Sequence, residues 1–277
     1  MVDVVKSGGR REPFDESKLR LSLRRAGASE DDVDAVVAEV LGRMHEGIST
    51  GKVYRYARQA LKRRSRRAAI TYSLKRALLE LGPSGYPFEQ FCGRLFEAMG
   101  YAVTYNQTVA GRCVQHEIDV VAERDGQRLF VECKFHNRQG HKNDVKIPLY
   151  IQGRAQDLAN GENGHHHEFW ILTNTVFSED ALTYGRCVGL RLAGHNTDHF
   201  QLTRDLINRH RLHPVTCMTR IKAAHKRMLV ERGIILCREL LDSPDAVDAL
   251  GLDAAQKGRV LAEARDIIAI GQVRRRP

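Results

Sequence analysis

Two charged triplets in the middle of the chain, Glu117-Ile118-Asp119 and Glu132-Cys133-Lys134, contain the residue types of a hydrolytic site. The pair Asp125-Gly126 lies between them, and such a pair between two strand-like runs is typical of a two-residue β-hairpin turn. Because side chains alternate along a strand, counting outward from the turn places Asp119 opposite Glu132 and Glu117 opposite Lys134 on one face. The sequence therefore predicts that carboxylates and a lysine meet at one point of a sheet.

Carboxylates that face each other across two strands destabilise a sheet unless a cation or a proton lies between them. A hard divalent ion such as Mg²⁺ binds oxygen ligands and would relieve this repulsion. Lys134 would then orient or deprotonate a water molecule, or hold a phosphate oxygen, as phosphodiester hydrolysis requires. The same spacing also allows a purely structural arrangement, in which Glu117 pairs with Lys134 and the other two carboxylates lie at a solvated end of the sheet.

The surrounding sequence predicts the elements that position these residues. Pro87 opens an amphipathic helix that ends at Gly100, as proline at a helix start and glycine after its end favour. The order of the elements is α-β-β-β-α-β followed by a further helix and strand, which predicts a mixed sheet with helices on its faces. The expected strands are 101–108, 117–124, 127–135, 169–174 and 189–193, and the expected helices after the first are 145–159 and the segment that Ser178 caps.

Both ends of the chain are predicted to be mainly helical. A short strand at 2–6 precedes several helices that extend to about residue 80, and helical patterns continue from about residue 206 to the end. The run Gly82-Pro83-Ser84-Gly85 is the strongest break in the sequence and indicates a domain boundary. We therefore expect a multidomain α/β protein with domains at 1–82, 85–205 and 206–277.

Length, composition and charge exclude several classes of protein. A chain of 277 residues that is 42% hydrophobic can form two or three cores, so it is neither disordered nor fibrous. It has no apolar run of membrane-spanning length and no signal-peptide core at its start, so we expect a cytoplasmic location. The six cysteines lack a CxxC pair, which excludes a zinc ribbon and predicts buried thiols. The net charge is +10, yet residues 85–205 contain 12 Lys and Arg against 15 Asp and Glu, so the basic flanks are the expected polyanion-binding regions.

The middle region resembles the PD-(D/E)XK nuclease superfamily, in particular its Mrr-like restriction endonuclease branch. The two charged triplets are similar to its acidic and lysine motifs, and the run Leu172-Thr173-Asn174-Thr175-Val176-Phe177-Ser178 resembles its fourth strand and the following turn. The resemblance implies that Asp119 and Glu132 bind Mg²⁺ or Mn²⁺ with the Cys133 carbonyl, that Lys134 serves the attacking water, and that Glu89 contributes from the first helix. The branch often has a glycine-rich approach to the aspartate, and this chain departs from it, so His116 and Glu117 are either extra site residues or ordinary polar strand residues.

Residues 4–18 resemble the start of the ATP-cone domain, a nucleotide-sensing module. The resemblance implies that Lys6, Gly9, Arg10 and Lys18 bind ATP or dATP, with the two lysines as charges for a triphosphate. The alternative is a hairpin whose lysines are only solvated. The residues that fit the module are Lys6, Gly9, Phe14, Asp15 and Lys18, whereas Ser7 stands where arginine is usual.

Three further features carry weaker expectations. The basic run from Lys62 to Arg67 lies on one side of a predicted helix and faces either DNA phosphates or solvent. Short helices around Gly233 and Gly251 faintly resemble helix-hairpin-helix modules that bind DNA phosphates. The run His165-His166-His167 is expected to be ordinary loop sequence, because adjacent side chains cannot all face one ion.

These features together imply a Mg²⁺-dependent DNA endonuclease, regulated by ATP or dATP, in restriction, phage defence or DNA repair. The expected partners are DNA and an adenine nucleotide, with no membrane partner, and a homo-oligomer is expected. A nucleotide-responsive DNA-binding regulator with an inactive nuclease fold is one alternative, and a junction-resolving repair nuclease is another. The intact set of Asp119, Glu132 and Lys134 favours the enzyme over the regulator, because a binding protein has no need to oppose two carboxylates.

Overall fold

A computed structural model of the protein describes residues 2–6, 8–138, 140–159 and 167–269. The chain divides into two compact units, an N-terminal unit of Met1–Arg76 and a C-terminal unit of Ala77–Pro277. Ser7, His165 and His166, which the sequence analysis discussed, lie outside the described residues. None of the helices in the described ranges combines the length and apolar character that a membrane span requires.

The N-terminal unit packs helices against a small sheet of strand order β2-β1-β3. The strands β1 and β2 form an antiparallel hairpin, and Gly9 in its turn has φ +79°, a conformation that glycine adopts without strain. The core is formed by helix residues at three- and four-residue spacing, such as Val33, Val36, Val37 and Val40, as the periodicity predicted. The elements are β1 (Asp3–Val5), β2 (Arg11–Pro13), α1 (Glu16–Arg25), α2 (Glu30–Leu41), β3 (Ile48–Ser49), α3 (Thr50–Arg64) and α4 (Arg66–Leu79).

The basic run from Lys62 to Arg67 does not lie on one helix. The backbone is extended at Ser65, and its hydroxyl accepts a hydrogen bond from the amide of Ala68, so α3 ends there and α4 begins. Arg63 and Arg64 also pair with acidic residues of α2. The prediction of a single basic helix face is therefore wrong, because a local serine cap interrupts the helix.

The C-terminal unit contains a five-stranded sheet of order β10-β8-β6-β5-β4. Strand β5 is antiparallel to both β4 and β6, whereas β8 is parallel to both β6 and β10, so the predicted mixed sheet is confirmed. Phe130 and Phe169 on one face pack with Ile151 of α6, and Trp170 on the other face meets Phe96 of α5. The elements are α5 (Tyr86–Ala98), β4 (Ala102–Ala110), β5 (Gln115–Arg124), β6 (Gln127–Lys134), β7 (Lys142–Asn143), α6 (Lys146–Ala159), β8 (Glu168–Thr173), β9 (Val176–Phe177), α7 (Glu179–Val188) and β10 (Arg191–Ala193).

The predicted hairpin between β5 and β6 is confirmed. Asp125 and Gly126 have φ +52° and +75°, and two positive φ angles at these positions are the mark of a type I′ turn. The strands pair from Arg124–Gln127 to Val120–Val131 in the register obtained by counting. Local turn chemistry therefore fixes which residues of β5 and β6 approach each other.

The region after the sheet is helical, as predicted, and packs within the same unit. Arg94 of α5 forms an ion pair with Glu239 of α10 at 2.8 Å, and Thr216 donates a hydrogen bond to the carbonyl of Ala77. The elements are α8 (Asp198–His210), a 3₁₀ turn (Val215–Cys217), α9 (Ala223–Glu231), α10 (Cys237–Leu241), α11 (Pro244–Asp248) and α12 (Ala254–Ile268).

One sequence expectation needs correction in this unit. Cys113 and Cys187 are exposed free thiols, whereas the other four cysteines are buried as predicted. At the turn before α12, the carboxylate of Asp253 accepts a hydrogen bond from the amide of Gln256 at 2.7 Å. This carboxylate caps the N-terminus of α12.

Glu263 of α12 anchors the C-terminal helices, because its buried carboxylate accepts hydrogen bonds from the amides of Thr219 and Arg220 and from the Thr219 hydroxyl. We expect Glu263→Gln to reduce the free energy of unfolding by about 2 kcal/mol, because amide substitution removes a charged acceptor. Asp248→Asn, which breaks an exposed pair with Lys257, is the control and should change it by less than about 0.5 kcal/mol. Thermal unfolding measures both, and equal effects would contradict the anchoring role.

Candidate active site

The strands β5 and β6 part at Asp119. Their ladder ends at the pair Val120–Val131, and Oδ2 of Asp119 instead accepts a hydrogen bond from the amide of Cys133 at 2.7 Å. On the opposite side, Asn106 of β4 has φ +51° and interrupts the β4-β5 pairing at the same level. The predicted direct opposition of Asp119 and Glu132 is therefore wrong in its backbone pairing, because the Asp119 side chain takes the amide that follows Glu132.

Glu132 is a buried carboxylate held by two cations. It is only 6% exposed, its Oε1 lies 2.5 Å from Nζ of Lys134, and its Oε2 lies 2.6 Å from Nη1 of Arg154. Lys134 therefore pairs with Glu132, in contrast to the pairing with Glu117 that the structural alternative proposed. Two cationic partners are what a carboxylate at this depth needs, since desolvation strongly disfavours an unpaired charge.

Burial and neighbouring acidic groups raise the pKa values of Asp119 and Glu89. Burial, followed by the charge of Glu132, raises the pKa of Asp119 to about 6. Burial also raises the pKa of Glu89 on α5 to about 7, with further contributions from Asp119, Glu117 and Glu132. The structure thus brings Glu89 into the electrostatic neighbourhood of the two motif carboxylates, and the site favours protons or cations at neutral pH.

Lys134 stays protonated in this environment. Its partial burial disfavours the ammonium form, but the attraction of Glu132 and Asp119 outweighs burial and raises the pKa of the amine. At neutral pH the side chain is therefore a hydrogen-bond donor and a positive charge.

A buried polar network holds the backbone beyond Lys134. The side chain of Asn174 accepts a hydrogen bond from the amide of His136 at 2.9 Å and donates one to its carbonyl at 2.7 Å. The hydroxyl of Thr173 donates to the Lys134 carbonyl at 2.7 Å, and Asn143 donates to that same hydroxyl at 3.1 Å. Thr173 and Asn174 belong to the run that resembles the nuclease branch, but their positions in the sequence did not reveal this role.

His116 lies outside this cluster of carboxylates. Its Nε2 forms a hydrogen bond with Oδ2 of Asp157 at 2.8 Å, and Asp157 also accepts hydrogen bonds from the amides of Cys113 and Val114. The bond to His116 and these amides lower the pKa of Asp157 to about 2. Of the two alternatives left open, the structure thus places His116 as a polar strand residue that fastens the β4-β5 loop to α6.

The donor set at the parting of β5 and β6 suits a hard divalent cation. In the described ranges, no cluster of three or more His, Cys, Asp and Glu side chains forms a complete metal site. The predicted set instead combines two carboxylates, Asp119 and Glu132, with the carbonyl of Cys133, and these are oxygen ligands of the kind Mg²⁺ binds. Burial and then the charge of Glu132 raise the pKa of Asp119, and such a cation would relieve the second of these effects.

In the N-terminal unit, three predicted nucleotide-binding cations surround one carboxylate. Lys6 forms an ion pair with Glu12 at 2.7 Å, and this bond, together with the charges of Lys18 and Arg10, lowers the pKa of Glu12. Gly9 shapes the turn between them by donating its amide to the Lys6 carbonyl at 2.9 Å. Nζ of Lys18 lies 3.3 Å from Oδ2 of Asp15, so Lys6 and Lys18 each have an acidic partner of their own.

Three family models match successive parts of the chain. A model described as an ATP cone domain matches residues 2–78, and one described as a restriction endonuclease of the Mrr type matches residues 82–194. A model described as AF1548-like, C-terminal, matches residues 213–268. The resemblances to an ATP cone and to an Mrr-like nuclease, first inferred from short motifs, are confirmed over these ranges.

The chain is also similar to individual proteins. An uncharacterized protein of Archaeoglobus fulgidus is 37% identical over 176 residues, which are 63% of this chain and 98% of that protein. A crystal structure of AF1548, a protein of unknown function, is 34% identical with a TM-score of 0.54 and covers 67% of this chain and 99% of its own. Can2 from Sulfobacillus thermosulfidooxidans, solved in complex with cyclic tetra-adenylate, is 14% identical with a TM-score of 0.34 over 68% of this chain and 54% of its own, a likeness too low to inform function.

The raised pKa values predict how stability depends on pH. Asp119 keeps its proton to about pH 6 in the folded state but only to about pH 4 in the unfolded chain, so its contribution to stability is lost as the pH rises through 6. The substitution Asp119→Asn removes the ionisable group and with it this loss of stability. The melting temperature of the variant relative to wild type should therefore rise by a few degrees between pH 5 and pH 8 in metal-free buffer.

Thermal melting at several pH values tests this expectation. Glu123→Gln is the matched control on the same strand, because Glu123 is exposed and pairs with Arg128. Its difference from wild type should stay constant with pH. A constant difference for Asp119→Asn as well would show that Asp119 ionises normally.

Proposed function

Since this chain belongs to the AF1548-like family and joins an ATP cone domain to a restriction endonuclease domain, we propose that it is a Mg²⁺-dependent DNA endonuclease regulated by ATP or dATP. The observation that carries the proposal is the convergence of Asp119, Glu132 and Lys134 where β5 and β6 part. Two acidic groups and an ammonium in one half-buried place are the inventory of phosphodiester hydrolysis.

In this proposal, Asp119, Glu132 and the Cys133 carbonyl would hold Mg²⁺ or Mn²⁺. The bound ion would supply Lewis-acid stabilisation of the charge that develops on the phosphate. Lys134, which stays protonated, donates a hydrogen bond to a phosphate oxygen or to the attacking water and so orients it. Of the roles that the sequence allowed for Lys134, orienting the water or holding a phosphate oxygen is thus better supported than deprotonating the water.

Glu89 is the group best suited to accept a proton in this site. Its pKa of about 7 lies near neutral pH, where a carboxylate can both exist in its ionised form and bind a proton strongly. It lies on α5, close enough to the motif carboxylates for their charges to contribute to its raised pKa. We assign to it the role of general base toward the attacking water.

Binding of DNA is assigned to the basic flanks rather than to the sheet. The segment 85–205 has more acidic than basic residues, whereas the basic excess of the chain lies before and after it. Phosphate contacts from lysine and arginine supply most sequence-independent affinity for DNA. On the C-terminal helices and their connections, the exposed cations suited to this role include Arg209, Arg220, Lys222, Arg227, Arg232, Arg259 and Arg265.

Incubation of the full chain with supercoiled plasmid tests the proposal. We expect nicked and linear products with Mg²⁺, none with a chelator, and a changed rate when ATP or dATP is added. DNA binding that responds to nucleotide, with no cleavage under any divalent cation, would instead favour the regulator with an inactive nuclease fold.

The metal ligands can be tested separately from DNA binding. We expect Asp119→Asn and Glu132→Gln each to lower the cleavage rate at least about 100-fold, because each removes a negative ligand of the cation. Affinity for DNA should change little, since the basic flanks remain. Cleavage assays and filter binding measure the two effects, with Glu123→Gln as a control that retains activity. Cleavage at the wild-type rate by either variant would remove these carboxylates from the site.

The nucleotide site is tested by calorimetry with ATP and dATP. We expect Lys6→Ala and Lys18→Ala each to weaken binding about tenfold, since each removes one positive charge near the triphosphate. Glu12→Gln should strengthen binding, because Glu12 competes with phosphate for Lys6. Lys52→Ala, at an exposed position of the same unit, is the control. The absence of any heat with the wild-type protein at millimolar ATP would mean that this unit has lost its ligand.

A further inference from the structure

Arg154 is a buried cation that lies outside the nuclease motifs. It belongs to α6, its side chain is 9% exposed, and Nη1 donates a hydrogen bond to Oε2 of Glu132 at 2.6 Å. The other carboxylate oxygen, Oε1, accepts a hydrogen bond from Nζ of Lys134 at 2.5 Å. Both oxygens of a proposed metal ligand are therefore bound by side-chain cations.

The guanidinium of Arg154 is held at Glu132 by one hydrogen bond rather than by the two of a bidentate pair. Its Nε is buried and has no hydrogen-bond partner among the described residues. Its Nη2 donates to the hydroxyl of Tyr150, and its central carbon lies 4.8 Å from the centroid of that ring. Tyr150 is 56% exposed. Its ring and hydroxyl thus give the guanidinium a second contact, which does not involve Glu132.

The acidic groups around Glu132 explain why this carboxylate needs a positive partner when no metal ion is bound. The charge of Glu132 contributes to the raised pKa values of Asp119 and Glu89, so the cluster contains three acidic groups. Lys134 supplies one positive charge, and Arg154 supplies the second. A divalent ion would bind the same carboxylate and would repel the nearby guanidinium, so the two cations are competitors for Glu132.

We propose that Arg154 is a positioning residue that serves as the counter-ion of Glu132 in the metal-free protein and releases this carboxylate when a divalent cation binds. Arg154 thereby stabilises the site when no metal ion is bound and lowers the affinity of the site for metal. Tyr150 offers the released guanidinium a contact through its ring and hydroxyl. The inference rests on the proposed function, since it concerns the cation of that same site.

The experiment compares Arg154→Gln and Arg154→Lys with wild type in the full chain, by thermal melting and by calorimetry with Mg²⁺ and Mn²⁺. Arg154→Gln should lower the melting temperature without metal by roughly 10 °C, because it leaves a buried carboxylate with one partner. It should also bind metal about tenfold more tightly, because a competing positive charge is gone. Arg154→Lys restores the charge and should shift both values back toward wild type.

Two further variants keep the test decisive. Arg191→Gln breaks an exposed Arg–Glu pair on the same sheet and should leave stability and metal affinity unchanged. The double variant of Arg154→Gln and Glu132→Gln removes both charges, so it should melt at a higher temperature than Arg154→Gln alone. If Arg154→Gln folds only when Mg²⁺ is added, the exchange of guanidinium for metal is supported directly.

Three results would overturn the inference. Unchanged or weaker metal binding by Arg154→Gln would show that Arg154 only supports the fold or the ligands. A variant that stays unfolded at 10 mM Mg²⁺ would show that metal cannot replace the guanidinium. Failure of the wild-type protein to bind any divalent cation would overturn the proposed metal dependence together with this inference, whereas the first two results leave the proposed function intact.

Discussion

The C-terminal unit depends on keeping one carboxylate charged inside an apolar sheet. Glu132 follows Phe130 and Val131, whose side chains are fully buried, and an unpaired carboxylate at this depth would be strongly destabilising. Lys134 and Arg154 each bind one of its oxygens, so β6 can carry the charge. Helix α6 packs on the sheet through its apolar face, and from there Arg154 reaches Glu132 on β6.

The opening of the sheet beside Glu132 does not leave the Cys133 amide unpaired. Where β5 departs from β6, the carboxylate of Asp119 replaces the missing backbone acceptor by binding the Cys133 amide. One residue thus brings a second negative charge to the site and satisfies the backbone that the opening exposes. At the end of β6, Thr173 binds the carbonyl of Lys134 and Asn174 binds the amide of His136. Side chains therefore satisfy the backbone of the site where the strand pairing stops.

The sequence was sufficient for features that short-range chemistry determines. Asp125-Gly126 adopts positive φ at both positions, and the register near the turn follows from it. The end of the ladder could not be predicted, because it is decided by competition between a strand partner and the Asp119 side chain for one amide. Arg154 could not be predicted as a site residue either, since it lies 22 residues after Glu132 and helical spacing does not reveal the partner of a charged residue. The break at Ser65 was missed for the opposite reason, as a local cap interrupts a pattern that still appears periodic.

The candidate ligand sites of the two units each contain an internal counter-ion. In the N-terminal unit, Glu12 places a negative charge among Lys6, Arg10 and Lys18, where a triphosphate would bring its own. In the C-terminal unit, Arg154 places a positive charge on Glu132, where a metal ion would bring its own. An internal counter-ion of this kind limits the repulsion among like charges when no ligand is bound. It also weakens ligand binding, because the ligand must replace an existing ion pair. Each counter-ion thus stabilises its site without ligand and lowers the affinity of that site for the ligand.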